Sequence, residues 1–255
     1  MDLEMKNRTV AITGGTDGLG LALARLLIDE GANVAVCGRD EQRLASAQET
    51  LGARALCVQA DVTSAVDCDM FLEATLERFG RLDGLVNNAG RAASTSIATA
   101  SDDQWREDYE LKVMAALRIS RASLEHLSVD AGAIVNVLAV SARTPPAGST
   151  PTSVSRAAGL AFTKALANEV APLGIRVNAI LIGLIESGQW VRRAAATGQR
   201  LEDFYAQSAR NANIPLGRFG RSSEFADVAA FLLSPRSSYV TGVGISVDGG
   251  MSPTI

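Results

Sequence analysis

Thr13-Gly14-Gly15-Thr16-Asp17-Gly18-Leu19-Gly20 stands directly after an apolar β-rich run and directly before a stretch of helical periodicity. Glycines at such a junction let the chain turn tightly and bring backbone N–H groups close to a pyrophosphate, whose charge is met by the positive end of the following helix. The chemistry this spacing offers is the cradling of a dinucleotide. Arg39, in Cys37-Gly38-Arg39-Asp40 at the end of the second β-rich run, adds a cation. An acidic residue there accepts hydrogen bonds from a ribose 2′-hydroxyl, whereas an arginine pairs with a 2′-phosphate. Metal chemistry finds no such support: Cys37, Cys57 and Cys68 form no C-x-x-C pair, and His126 has no partner at ligand spacing. The cysteines read as small buried hydrophobes, and no metal is expected.

The elements that position these residues follow from periodicity. Short β-rich runs over 9–13, 33–37, 55–59, 84–86, 133–138, 176–180 and 244–247 alternate with helical patterns over 19–31, 41–51, 64–79, 102–127, 152–171 and 222–233. The alternation predicts one α/β domain over 1–255, a Rossmann-like doubly wound parallel sheet of about seven strands with helices on both faces. The stretch 186–221 is long for a connection and is expected to form a substrate lid. With 24 basic and 28 acidic residues the net charge is −4, which argues against a nucleic-acid backbone or an anionic membrane as partner. The most apolar segment, 177–185, is interrupted by Asn178 and closed by Glu186, short of the ~20 residues of a spanning helix. Residues 1–10 carry no apolar stretch of the secretory kind, so a cytoplasmic protein is expected.

Further motifs stand in order along these elements. Asp61-Val62 follows the third strand, Asn87-Asn88-Ala89-Gly90 the fourth, and Ile175-Arg176-Val177-Asn178 precedes Ile182-Gly183 and Ser187, with Val247-Asp248-Gly249-Gly250 at the closing strand. Together with the spacing of Gly14, Gly18 and Gly20, they make nearly the whole chain resemble the short-chain dehydrogenase/reductase family, with Ile182-Gly183 where that family usually has Pro-Gly. The resemblance implies a nicotinamide cofactor held by Gly14, Thr16, Asp17, Gly18, Leu19, Gly20, Arg39, Asp61, Val62, Asn88, Ala89, Gly90, Arg156, Gly183 and Ser187. Asp61-Val62 would contact adenine and Ser187 the nicotinamide amide. Arg39 favours NADP(H); NAD stays open because Asp17 occupies a glycine-loop position where many NADP-preferring relatives carry a second base. A homotetramer is implied as well, packed through the helices 102–127 and 152–171 and through the C-terminal region.

The catalytic positions of the family are changed. Its proton-giving tyrosine is matched by Thr152, its lysine by Arg156, its serine by Ala139 and its asparagine by Lys112. A threonine hydroxyl lacks phenolic acidity and an arginine stays protonated, so neither simply replaces the usual acid. Both can still hydrogen-bond or polarise an oxyanion. Lys112 is the candidate capable of acid–base exchange, and burial near Arg156 would lower its pKa. Lys112, Thr152 and Arg156 are the candidate catalytic residues.

Around them, Ser141, Arg143, Ser149 and Thr150 lie in a loop stiffened by Pro145-Pro146. Tyr109, one turn before Lys112, reads as a packing aromatic. Trp190, Arg192 and Arg193 read as residues that line or close the pocket. The function expected is an oxidoreductase acting on a small carbonyl or alcohol, with a carboxylate near the reacting carbon attracted by Arg156 and Lys112. A catalytically silent cofactor-binding subunit and a nonredox lyase or dehydratase are the alternatives.

Overall fold

All five residues of β1 (Thr9–Thr13) are buried, as expected of a parallel strand covered on both faces. The computed structural model describes residues 2–127 and 132–254. In it β1 is followed by α1 (Gly18–Asp29), β2 (Asn33–Gly38), α2 (Glu41–Leu51), β3 (Ala55–Gln59), α3 (Ala65–Phe79) and β4 (Gly84–Asn87). A two-residue strand β5 (Ser94–Thr95) precedes α4 (Asp102–Tyr109) and α5 (Ala115–Ser123), and then come β6 (Ala133–Ala139), a second short strand β7 (Thr150–Pro151) and α6 (Thr152–Val170). The chain closes with β8 (Arg176–Ile182), α7 (Gly188–Thr197), α8 (Leu201–Asn211), α9 (Ser222–Leu233) and β9 (Gly244–Val247).

Seven of these strands form one parallel sheet in the order β3-β2-β1-β4-β6-β8-β9. The order in which strands are added reverses between β1 and β4, which pair in parallel register at Val10–Gly84 and Ile12–Val86. Ligands of such sheets bind outside the carboxyl ends of the strands at this switch point. Alternate residues of each strand feed opposite faces. Val10, Ile12, Val34 and Val36 pack with Leu23, Leu27 and Phe225 of α1 and α9, while Ala11, Ala35 and Leu85 pack with Phe71, Ile119 and Leu166 of α3, α5 and α6. Phe71 and Phe225 are fully buried, and truncating either to alanine should cost roughly 3–5 kcal/mol.

Three departures from the sequence reading bear on function. The helix expected over 102–127 is broken by a π turn at Glu110–Met114 and ends at Ser123, with Leu127 bridging to Leu82 instead. The wider turn re-phases the helix, so Lys112 is buried while Tyr109 is 43% exposed rather than packed. The small antiparallel ladder of β5 and β7 was not anticipated; it joins Ser94 to Pro151 and Thr95 to Thr150. The long stretch after β8 holds α7 and α8, gathered on a core of Ala209, Ile214 and Phe219 with Trp190 and Tyr205 against it. Among the described residues no helix is long and apolar enough to cross a membrane.

Candidate active site

The glycine loop is tied to the end of β4 by side chains from both. Thr13 Oγ1 accepts hydrogen bonds from the backbone N–H groups of Asn88 and Ala89, each 3.0 Å. Asn88 Nδ2 donates to the carbonyls of Thr13 and Gly14, each 2.9 Å. Gly14 has φ +64°, and a Cβ on Gly20 would lie 2.6 Å from the Gly14 carbonyl, so the loop closes only with glycine at both points. Asp17 caps α1 by accepting from Gly18 N at 2.7 Å, and Leu19 packs on the core beneath.

At the outer rim, Thr16 lies against Gly38. Arg39, whose side chain is 70% exposed, reaches the Asp61 carboxylate at 3.4 Å. Burial pushes the Asp61 carboxyl up, but hydrogen bonds from Thr63 and the Arg39 charge outweigh it and hold the group below its ordinary range. Val62 is buried beside it. Gly183 packs against Asp248, and Ser187 packs against Gly18, bringing the start of the long insertion onto the glycine loop. Arg192 of α7 reaches Asp17 at 3.4 Å, and Arg43 of α2 approaches the same carboxylate at 3.9 Å.

The catalytic candidates converge. Lys112, on the π turn, donates to the Asp108 carboxylate and to Thr152 Oγ1 at 2.6 Å. Ala93 N–H also donates to Thr152 Oγ1, at 3.0 Å, a contact made by the β5–β7 ladder that brings the two segments together. Ser155 Oγ, one turn along α6, donates to the other Asp108 oxygen at 2.7 Å. Arg156 Nη1 donates to the Val137 carbonyl at 2.6 Å, and its Nη2 lies against Gly90.

Two buried polar atoms, Arg156 Nε and Ser187 Oγ, have no hydrogen-bond partner among the described residues. Such groups are costly to leave unpaired, and their placement beside Gly90 and the glycine loop suits a bound dinucleotide that supplies the missing partners. A cavity of about 20 Å³ is lined by residues that include Lys112, Arg156, Asn87 and Asn136. It has room for about one water molecule.

Electrostatics separates the cations. Burial lowers the Lys112 ammonium to about 8, with the nearby Arg156 charge adding to the effect and Asp108 opposing it. Burial lowers Arg156 as well, to about 10, so it stays charged at neutral pH. Of the two buried cations, Lys112 is therefore the one whose titration lies nearer physiological pH. The thiols titrate well above it: burial pushes Cys37 up to about 12 and Cys57 and Cys68 up to about 11.

The other loop candidates are held by structural bonds. Arg143 donates to the Gly244 carbonyl, Ser149 to the Pro146 carbonyl and Thr150 to the Thr95 carbonyl, while Ser141 is half-buried. Trp190 packs edge-on against Phe219 at 5.5 Å and carries Arg193 over its ring. The sequence reading missed Asp108 and Ser155. The signal for Asp108 was its place four residues before Lys112, the spacing of a helical ion pair; nothing local pointed to Ser155.

Residues 14–252 match the family described as enoyl-(acyl carrier protein) reductase. The chain is 39% identical over 248 residues to an uncharacterized oxidoreductase of Mycobacterium bovis, covering 95% of this chain and 96% of the relative. Its fold is similar to the NADPH-bound short chain oxidoreductase of Pseudomonas aeruginosa containing an atypical catalytic center, with TM-score 0.92, 41% identity and coverage of 97% and 98%. It is similar too to L-sorbose reductase of Gluconobacter frateurii, solved with NADPH and L-sorbose, with TM-score 0.93, 34% identity and full coverage of both chains. Likeness that runs the length of the chain in both sequence and fold leaves one conclusion: the chain belongs to the short-chain dehydrogenase/reductase family.

Proposed function

We propose that the chain is an NADP(H)-dependent oxidoreductase that interconverts a small carbonyl compound and its alcohol, with the Thr152–Lys112 pair handling the proton. The observation that carries this reading is the bonding of Thr152. Its oxygen accepts from both Lys112 and Ala93, and among the described residues its own hydrogen has no acceptor. A hydroxyl in that state has one thing left to give, and Lys112 stands behind it to replace what is given.

A bound NADPH would supply the hydride. In carbonyl reduction Thr152 would give its proton to the carbonyl oxygen and regain one from Lys112 Nζ, and the neutral amine would be recharged through the water-sized cavity that it lines. Oxidation of the alcohol runs the same path backwards. The Lys112 side chain is 1% exposed, so substrate meets the threonine and not the amine. Arg156 and Ser187, with their unpartnered polar atoms, would hold the nicotinamide half of the cofactor, and the glycine loop its pyrophosphate. Arg39 would pair with the 2′-phosphate. The segment 186–221 would close over substrate, its Arg192–Asp17 contact joining lid to loop.

Lys112→Met tests the reading, since it keeps much of the stem and removes the exchangeable proton. NADPH affinity should stay within a few-fold, while single-turnover hydride transfer across a panel of small ketones and keto acids falls by about a hundredfold or more. Wild-type transfer by the variant would eliminate Lys112 as proton source. Tight NADPH binding by the wild type with no transfer to any carbonyl would sink the redox reading and favour a silent subunit.

A further inference from the structure

The acid–base pair does not stand alone. Asp108 is buried, with 2% of its surface exposed, and a carboxylate in such a place needs partners for both oxygens. It has them, from two elements: Lys112 of the π turn on one oxygen and Ser155 of α6 on the other. We propose that Asp108 is the positioning residue of this site, its carboxylate pinned by Ser155 and in turn holding the Lys112 amine in line with the Thr152 hydroxyl. The arrangement Asp108–Lys112–Thr152, with Ser155 behind Asp108, has the logic of a triad, in which a proton-exchanging group touches the reacting hydroxyl and a buried third group aims it.

Geometry shows what each bond decides. Lysine is flexible, with three equivalent N–H donors on a long stem, and nothing in its own chemistry directs one of them at Thr152. Anchoring the amine to a carboxylate one helical turn away, itself fixed by a hydroxyl from the facing helix, removes that freedom. Asp108 also supplies the negative charge opposing the surrounding cations. From α6 Lys112 meets Arg156, from the segment after β4 it meets Arg91, and from α4 only Asp108 acts in the opposite sense. Arg91 is itself paired with Glu107 of α4, so removing Asp108 would leave the amine facing the Arg156 charge without its opposing carboxylate, and it would lose its proton at lower pH.

This assignment rests on the proposed role of Lys112, so its first test is made without substrate or turnover. The chain has only three lysines, Lys6, Lys112 and Lys164. Incorporation of lysine labelled with ¹³C at Cε therefore gives three resonances in the intact protein, with Lys112 identified by its loss in Lys112→Met. In the wild type it should titrate near 8, and in Asp108→Asn its midpoint should fall by about one pH unit or more. An unchanged midpoint in a folded Asp108→Asn protein overturns the proposal. Ser155→Ala leaves the charge in place and removes only its anchor. It is expected to keep the midpoint near that of the wild type and to slow single-turnover hydride transfer roughly fivefold, with NADPH affinity unchanged. Wild-type transfer by Ser155→Ala overturns the positioning role even if Asp108→Asn does not fold. A wild-type protein that shows the expected titration but transfers no hydride would instead fault the redox reading.

Discussion

The two ends of the site are built differently. Around the glycine loop the structure is set mostly by backbone: carbonyls of Thr13 and Gly14 held by Asn88, and close approaches that exclude a Cβ. Around Thr152 the interacting atoms are mainly side chains from three segments, the end of α4, the π turn and α6, joined by one backbone N–H, that of Ala93 after β4. A backbone site survives as long as its glycines and spacing do. A side-chain site can be rebuilt, provided the replacements fit one another. Here a short hydroxyl at position 152 is met by a long amine at position 112, and the added charge by a buried carboxylate at position 108. Of the four changed positions, Thr152 and Lys112 are joined in three dimensions to Asp108 and Ser155 in one hydrogen-bonded unit, while Arg156 bonds the Val137 carbonyl beside it.

That contrast can be broken most directly at Thr152. Thr152→Val removes the hydroxyl while keeping the branched shape, and should cut single-turnover hydride transfer by about a hundredfold or more with NADPH binding little changed. Thr152→Ser should retain most of it. Equal transfer by the valine and serine variants would show that the proton reaches the substrate by another route.

The next effect is on pH. Lys112 donates only when protonated, so carbonyl reduction should be fully present below the midpoint of about 8 and fall as pH rises through it, while alcohol oxidation rises over the same range. Removing the like charge of Arg156 should move that midpoint upward, the direction opposite to the one expected for Asp108→Asn. Arg156→Ala should also weaken NADPH, since its guanidinium sits beside Gly90 and Val137. Pre-steady-state transfer measured across pH decides both signs, and a shift of the two variants in the same direction would refute this account of the charges.

The smallest effect is expected at the cofactor end, where the glycine loop would hold the cofactor largely through backbone. Arg39 is largely exposed and shares Asp61, so Arg39→Ala should weaken NADPH by only roughly tenfold and leave NADH nearly unchanged. Fluorescence titration with both cofactors reads it. Equal losses for the two would remove Arg39 from the 2′-phosphate role.

Much of this molecule is legible in one dimension. The seven parallel strands, the helices on either face, the glycine loop and the ordered motifs after β3 and β4 depend on local spacing: a period of two or 3.6, a turn that only glycine allows, a strand end followed by a helix start. The sequence also determined which residue types stand at the positions the family uses for catalysis, and so made Lys112 the candidate for proton exchange. Tertiary structure decided what those residues are to one another. The π turn that buries Lys112 and exposes Tyr109 leaves no mark in the apolar periodicity. The two-residue ladder that carries Ala93 to Thr152 is too short to read as strands. Asp108 stood in plain view one turn from Lys112, yet its meaning depended on Ser155 and Thr152, which approach from α6. A strand or a glycine turn is set by its neighbours in the chain. The pKa and aim of a buried amine are set by every charge and hydrogen bond that folding brings around it, and those come from segments the sequence keeps far apart.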